Sequence, residues 1–284
     1  LQLEPFNEKV IDVGEDGRFM KSAGKALGRH TDIPRGARMR KCEGCRAAPG
    51  REIPFTMAFQ PIVDSRTWGV WGYEALVRGP DGQGALHVID QIDEQNRYWF
   101  DQAFRVRAIE MAASLFPAGA RLSINFLPNA VYEPRACIQA TLAAAERTGF
   151  DPHLLMFEFT EDERISDHAH IRNIVDTYRA LGFTTALDDF GAGHAGLSLL
   201  ARLQTDLIKI DMELVRGIET SRPRQAIVRG LKTIADELGI RLLAEGVESE
   251  AEFAHLRATG IELFQGYLFA KPQVAALPEV RYKG

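Results

Sequence analysis

The sequence predicts an α/β fold, a closed barrel of about eight strands alternating with helices, behind a short N-terminal appendage. Three observations predict it. From Phe55 onward, short β-branched or apolar runs alternate with amphipathic stretches of helical period, the signature of repeated strand–helix units and a parallel sheet. Gly182, Gly239 and Gly260 each close a helical run just before the next strand, where a left-handed C-cap belongs. Two strand-like runs meet across residues 64–69 with no helix between them, a hairpin spacing that turns one strand near the start antiparallel.

Along the chain, the hairpin pairs strands over 57–63 and 70–77. A long helical period over 88–115 leads to a strand at 121–126, and a second over 134–147 leads to 155–160. Helical residues 168–181 precede the strand at 184–187, and the shorter 196–203 precedes 207–210. The run 222–238 precedes 241–244, and 249–259 precedes 263–264. Trp68, Trp71 and Trp99 are expected to pack the shell of the barrel, and Cys137 to be a core thiol.

Composition narrows the function classes. The 284 residues are 45% hydrophobic and 26% charged, ordinary for a soluble globular chain. No run approaches ~18–20 apolar residues, which excludes a membrane-spanning helix from this fragment. With 39 acidic against 34 basic residues the chain has no general attraction for long nucleic acid. Three cysteines, an odd number, cannot staple a chain of this size and point to a reducing, cytoplasmic setting. Residues 1–50 carry 10 basic and 7 acidic residues, whereas the rest is net acidic. The charge switch divides the chain into a linker or upstream remnant, 1–50, and a barrel domain, 51–284. Cys42 and Cys45, with only His30 near, fall short of the four ligands of a zinc site and read as free thiols in the linker. The arginine-rich patch over 35–41 reads as solvated linker.

The chemistry lies in what ends the strands. Glu74 and Arg78, Asn125, Glu158, the pair Asp188-Asp189, Lys209 with Asp211, and Glu245 with Glu248 all fall at or just beyond C-terminal strand ends. A single acidic residue there is ordinarily an N-cap or a turn residue. Six strands doing so in a barrel gather carboxylates into one mouth, where they repel one another unless cations or protons intervene. Oxygen donors without His or Cys suit hard divalent ions, Mg²⁺ or Mn²⁺ rather than zinc. Adjacent Asp188 and Asp189 can each reach a different ion, which fits two metals sharing a bridging carboxylate and phosphoryl hydrolysis. Lys209 is either a buried partner of a carboxylate or the group that orients or deprotonates the attacking water, its pKa lowered by nearby cations. Arg78 offers a planar fork for a phosphate, or a rim salt bridge.

The ordered motifs Phe59-Gln60-Pro61-Ile62-Val63, Tyr73-Glu74-Ala75-Leu76-Val77-Arg78-Gly79, Ser-Ile-Asn125-Phe, Phe-Glu158-Phe-Thr-Glu161, Asp188-Asp189-Phe190-Gly191, Ile208-Lys209-Ile210-Asp211, Glu245-Gly246-Val247-Glu248 and Gln265-Gly266-Tyr267 resemble the EAL-domain phosphodiesterases of cyclic di-GMP over residues 55–272. The resemblance implies a TIM-type (β/α)8 barrel with its first strand antiparallel, and hydrolysis of cyclic di-GMP to linear pGpG in bacterial second-messenger signalling. It implies Glu74, Asn125, Glu158 and Asp188 as ligands of one Mg²⁺ or Mn²⁺, and Asp188, Asp189 and Glu245 as ligands of a second. Lys209 would then activate or position the water, Arg78 hold a phosphate and Gln60 lie beside the nucleotide. Asp211, Glu248 and Gln265 would support the site, and Glu161 would hold the loop after Asp189. Ca²⁺ is expected to inhibit, and a homodimer to form. The loop reads His194-Ala195-Gly196 where common members carry Tyr-Ser-Ser, and no ligand position is lost.

Two rivals follow from the same residues. The run from Gly191 to Gly196 fits G-x-G-x-x-G with Asp211 downstream, but Asp188-Asp189 just before it would repel a pyrophosphate. A catalytically silent cyclic di-GMP receptor, signalling through partner contacts, is the alternative in a different functional class.

Overall fold

The structure, a computed structural model, describes residues 53–160, 168–193 and 196–281. The 1–50 appendage, Cys42, Cys45, Glu161, His194 and Ala195 therefore lie outside the described residues. Strands β1 (Thr56–Asp64) and β2 (Gly69–Arg78) form the hairpin. Helices α1 (Leu86–Ile89) and α2 (Arg97–Leu115) precede β3 (Arg121–Asn125), and α3 (Pro134–Cys137) and α4 (Gln139–Thr148) precede β4 (Leu155–Thr160). Next come α5 (His168–Ala180), β5 (Thr184–Phe190), α6 (Gly196–Leu200) and β6 (Leu207–Ile210). The chain continues through α7 (Met212–Val215), α8 (Arg222–Leu238), β7 (Arg241–Ala244), α9 (Glu250–Ala258), β8 (Leu263–Phe264) and β9 (Gln273–Val274).

The sheet runs β2-β3-β4-β5-β6-β7-β8-β1, and β1 pairs back onto β2, which closes an eight-stranded barrel. Neighbours from β2 to β8 are parallel, while β1 is antiparallel to both of its neighbours, as the hairpin spacing predicts. The two-residue β9, which sequence reading did not anticipate, adds to β1. Among the described residues no helix is long and apolar enough to cross a membrane.

Helix ends follow local chemistry. Gly239 takes a left-handed conformation as the C-cap of α8, at φ 69°. Ser249 and Glu252 form a reciprocal capping box at the start of α9. The predicted run 88–115 is broken after α1. Asp93 accepts from the backbone N–H groups of Gln95 and Asn96, and the Asn96 amide donates to the Gln91 carbonyl. Short polar side chains thus capture backbone groups that a helix would have used. The run 134–147 divides at Ile138, whose dihedrals stay near helical.

Alternation along the strands separates two cores. Outward side chains pack with the helices in one large cluster that includes the buried Cys137 thiol, with Trp68 and Trp99 against it. Inward, Ile62, Met156, Ala186, Leu207, Leu243 and Leu263 plug the barrel, with Trp71 packed against them. Two residues further along the same faces stand Gln60, Glu158, Asp188, Lys209, Glu245 and Gln265. The strand period of two therefore lays a polar layer directly on an apolar plug, at the C-terminal ends of the parallel strands.

Candidate active site

Each side chain of the polar layer is positioned by its strand. Gln60 and Glu74 are register partners across β1 and β2, and Asn125 and Glu158 across β3 and β4. On β5 the register shifts between Leu187 and Phe190, and Asp189 adopts φ 52°. Successive residues of a regular strand point to opposite faces; this irregularity lets consecutive carboxylates serve one site. Asp211 caps α7 just after β6, accepting from the Glu213 N–H at 2.7 Å. Gly266 presses against the chain after β7: a Cβ there would lie 2.0 Å from the Val247 carbonyl oxygen, so Gln265 can be followed only by glycine.

Lys209, 1% exposed, stands at the centre. Its Nζ lies 2.8 Å from Glu245, 2.9 Å from Asp188, 3.2 Å from Glu158 and 3.6 Å from Glu74. The Asn125 amide donates to Glu74 at 3.0 Å and to Glu158 at 2.8 Å, and the Gln265 amide donates to Glu74 at 2.7 Å. Ser123, one inward position below Asn125, donates its hydroxyl to Glu158 at 2.5 Å. Sequence reading missed Ser123, although its spacing of two from Asn125 marks the same face.

Burial and crowding perturb these groups. Burial pushes the Glu158 and Glu245 carboxyls well above the ordinary range, and neighbouring carboxylates add to this against the attraction of Lys209. Burial, then the adjacent Asp188, pushes Asp189 up to about 6. Burial raises Glu74 too, but Lys209 and donated hydrogen bonds outweigh it and hold the carboxyl below its usual value. Burial pulls the Lys209 ammonium down, yet Asp188, Glu158, Glu245 and Glu74 together hold it well above the ordinary lysine value. With the chain's own groups alone, Lys209 is thus the cluster's counter-charge and not a lowered base.

The donor set fits divalent cations. Glu74, Glu158 and Asp188 offer oxygens within 4.8 Å of one another, and so do Asp188, Asp189 and Glu245; the two groups share Asp188. One ammonium cannot balance five carboxylates, and the buried Oε1 of Gln265, whose amide nitrogen donates to Glu74, has no hydrogen-bond partner among the described residues. All donors are oxygens, which hard ions prefer.

Two cavities flank the cluster, and Glu74 and Asp189 line both. The larger, about 680 Å³, opens between Arg78, Asn125 and a mostly apolar wall that includes Phe100, Phe126 and Phe159. The smaller, about 260 Å³, is lined by Gln60, Asp211, Glu245, Glu248 and Gln265 together with Met212, Arg216 and Tyr267, which sequence reading did not single out. Arg216 pairs with Glu248 on its wall. Arg78 donates to the Val77 carbonyl at 2.7 Å. The structure thus gathers the sequence-predicted site residues at one mouth, save Glu161, which lies outside the described residues.

A closed (β/α)8 barrel with one reversed strand and a lysine-centred acidic mouth defines a TIM-type barrel whose clustered carboxylates could hold a metal ion. The chain belongs to the EAL domain family, whose sequence profile matches residues 50–272. It is 53% identical to a standalone EAL protein from Vibrio cholerae O395 solved with c-di-GMP bound, at a TM-score of 0.79 over 82% of this chain and 98% of that one. BlrP1 of Klebsiella pneumoniae, solved with manganese and cyclic di-GMP, is 36% identical at a TM-score of 0.76, over 83% of this chain and 59% of that one. A calcium and cyclic di-GMP complex of BlrP1 is similar as well. The blue light- and temperature-regulated antirepressor BluF of Escherichia coli is 32% identical over 86% of this chain and 60% of its own length. The cyclic di-GMP phosphodiesterase NbdA of Pseudomonas aeruginosa is 31% identical over 81% and 30%. The chain therefore spans 60% or less of the length of these two relatives.

Proposed function

We propose that the barrel, residues 51–284, is a metal-dependent phosphodiesterase that hydrolyses one phosphodiester of cyclic di-GMP to linear pGpG. The observation that carries this reading is the pair of carboxylate triads sharing Asp188 around Lys209. Glu74, Asn125, Glu158 and Asp188 would hold one Mg²⁺ or Mn²⁺, and Asp188, Asp189 and Glu245 a second. Bound there, such ions acidify water and neutralise charge on a phosphate. Lys209 would orient the attacking water or, with its ammonium disfavoured by the neighbouring cations, take its proton, while Arg78 fixes a non-bridging phosphate oxygen with its planar fork. The water oxygen bonds to phosphorus, the bond from phosphorus to the ribose 3′ oxygen breaks, and that oxygen takes up a proton. Gln60 lies beside the nucleotide, Gln265 steadies Glu74, Asp211 fixes the turn after Lys209, and Glu248 is held by Arg216. The enzyme acts in the bacterial cytoplasm as a homodimer and has no use for long nucleic acid.

BluF, named an antirepressor, favours a second reading in which the chain is a catalytically silent receptor of cyclic di-GMP. Chromatography of cyclic di-GMP after incubation with Mg²⁺, Mn²⁺ or chelator separates the two. Metal-dependent appearance of pGpG supports the enzyme; intact nucleotide in every tube, alongside measurable binding, supports the receptor.

A further inference from the structure

Beside the acidic mouth, in the layer between helices and barrel, lies a buried ion pair that the proposed chemistry does not use, although its Asp101 also lines the larger cavity. Arg105 of α2 is 0% exposed and Asp101, one turn before it, 3%. The guanidinium donates to Asp101 at 2.5 Å and to the Tyr178 hydroxyl of α5 at 2.9 Å, and its Nε finds no acceptor among the described residues. Taking two charges out of water is unfavourable, and an apolar pair of the same volume is often no less stable. Fold stability alone therefore does not account for the pair.

Its contacts do. The guanidinium carbon lies 5.6 Å from the ring centres of both Phe126 and Phe157. Those outward-facing rings are the chain neighbours of the inward-facing Asn125 and Glu158, which are register partners. The other oxygen of Asp101 accepts the Leu127 N–H at 3.1 Å, two residues beyond Asn125, and the Phe126 N–H donates to the Glu158 carbonyl at 3.0 Å. One rigid fork thus grips the back of the two strand tips that carry Asn125 and Glu158.

We propose that Asp101 and Arg105 are positioning residues: a brace that sets the β3 and β4 tips so that Asn125 and Glu158 meet a divalent cation in the right geometry. This rests on the metal-binding reading above. The test measures Mn²⁺ affinity by calorimetry, melting temperature in chelator, and kcat and KM for cyclic di-GMP. Asp101→Leu/Arg105→Met replaces the pair by apolar groups. It should melt within a few degrees of the parent, bind Mn²⁺ about tenfold more weakly and lose kcat about tenfold, with KM within twofold. Ile109→Val, in the same helix and layer, should lower the melting temperature and leave Mn²⁺ affinity unmoved. Arg105→Lys keeps the charge opposite Asp101 without the fork, and carries the test if the double variant does not fold, with a loss of about threefold to tenfold expected. Parental Mn²⁺ affinity in these Arg105 variants, or equal weakening by Ile109→Val, overturns the brace and leaves the metal site standing. A parent that takes up no Mn²⁺ overturns both.

Discussion

At the scale of single residues, the site is assembled from groups that oppose one another. Glu245 is raised by burial and by Asp188, so its charge at neutral pH is unfavourable in the fold. Glu245→Gln removes that charge at nearly constant shape. It should stabilise the protein in chelator by about 1–2 kcal/mol, while abolishing most of the melting-temperature rise that Mn²⁺ gives the parent. A variant that melts lower in chelator would count against the carboxylate crowding. Lys209→Met works in the opposite sense. It leaves Asp188, Glu158, Glu245 and Glu74 without their ammonium and should lower stability in chelator by about 3–5 kcal/mol, the scale for breaking a buried pair. Mn²⁺ should restore much of the stability but little turnover, because the water loses its orienting group; cyclic di-GMP hydrolysis at a tenth of the parental rate or better would sink the role of Lys209. These residues were legible in the sequence because each stands at a predicted strand end, and the period of two brings them to one face. Ser123 was hidden because a serine within an apolar strand is unremarkable until its hydrogen-bond acceptor on the neighbouring strand, Glu158, is known.

At the scale of elements, strands were read closely and helices less so. The strands over 207–210, 241–244 and 263–264 coincide with β6, β7 and β8, because a buried parallel strand is a short apolar run bounded by turn residues. The long helix over 88–115 failed because Asp93 and Asn96 compete for backbone groups, an effect that apolar period does not register. β5 outran its predicted end, since Asp188 and Asp189 look like turn residues and the bulge that keeps them in the strand is tertiary. The start of α9 offers a prediction at this scale. Glu252 accepts the backbone N–H groups of Gly217, Glu248 and Ser249, each at 3.0 Å. Burial raises its carboxyl, but these three hydrogen bonds and Arg216 outweigh burial and hold it below the usual value. A lowered carboxyl contributes stability that is present above its unfolded-state pKa, ~4.3, and is lost as pH falls through the folded value. Glu252→Gln should therefore cost about 1–3 kcal/mol at pH 7 and flatten the acid limb of a melting-temperature profile. An acid limb as steep as the parent's would show that Glu252 is not its source. Gly266→Ala, which drives a methyl into the Val247 backbone, should cost on the order of 3 kcal/mol. Urea denaturation measures it, and a change below half that figure would contradict the close approach.

At the scale of the whole molecule, the barrel converts eight local strand signals into one mouth on an apolar plug, with Glu74 and Asp189 lining both of its cavities. The strand ends were legible from sequence, but the cavities were not, because loops and helix faces distant in the chain build their walls. Closure of the barrel also limits how far the ligand oxygens can move, since every strand of the polar layer is hydrogen-bonded on both sides. That rigidity separates the divalent ions. Mg²⁺ takes six oxygens at about 2.0–2.1 Å, whereas Ca²⁺ takes six to eight at about 2.3–2.6 Å in a looser shell. On the proposed metal-binding reading the oxygen triads around Asp188 accept either ion, so Ca²⁺ should raise the melting temperature and support nucleotide binding much as Mn²⁺ does. Its larger shell would set the attacking oxygen away from the line through phosphorus, and a misplacement of about 1 Å is enough to lose two orders of magnitude in rate. Hydrolysis followed by chromatography in each ion should show Mn²⁺ or Mg²⁺ turnover at least about a hundredfold above that in Ca²⁺, alongside comparable binding. Equal turnover in Ca²⁺ would mean that barrel geometry does not place the water.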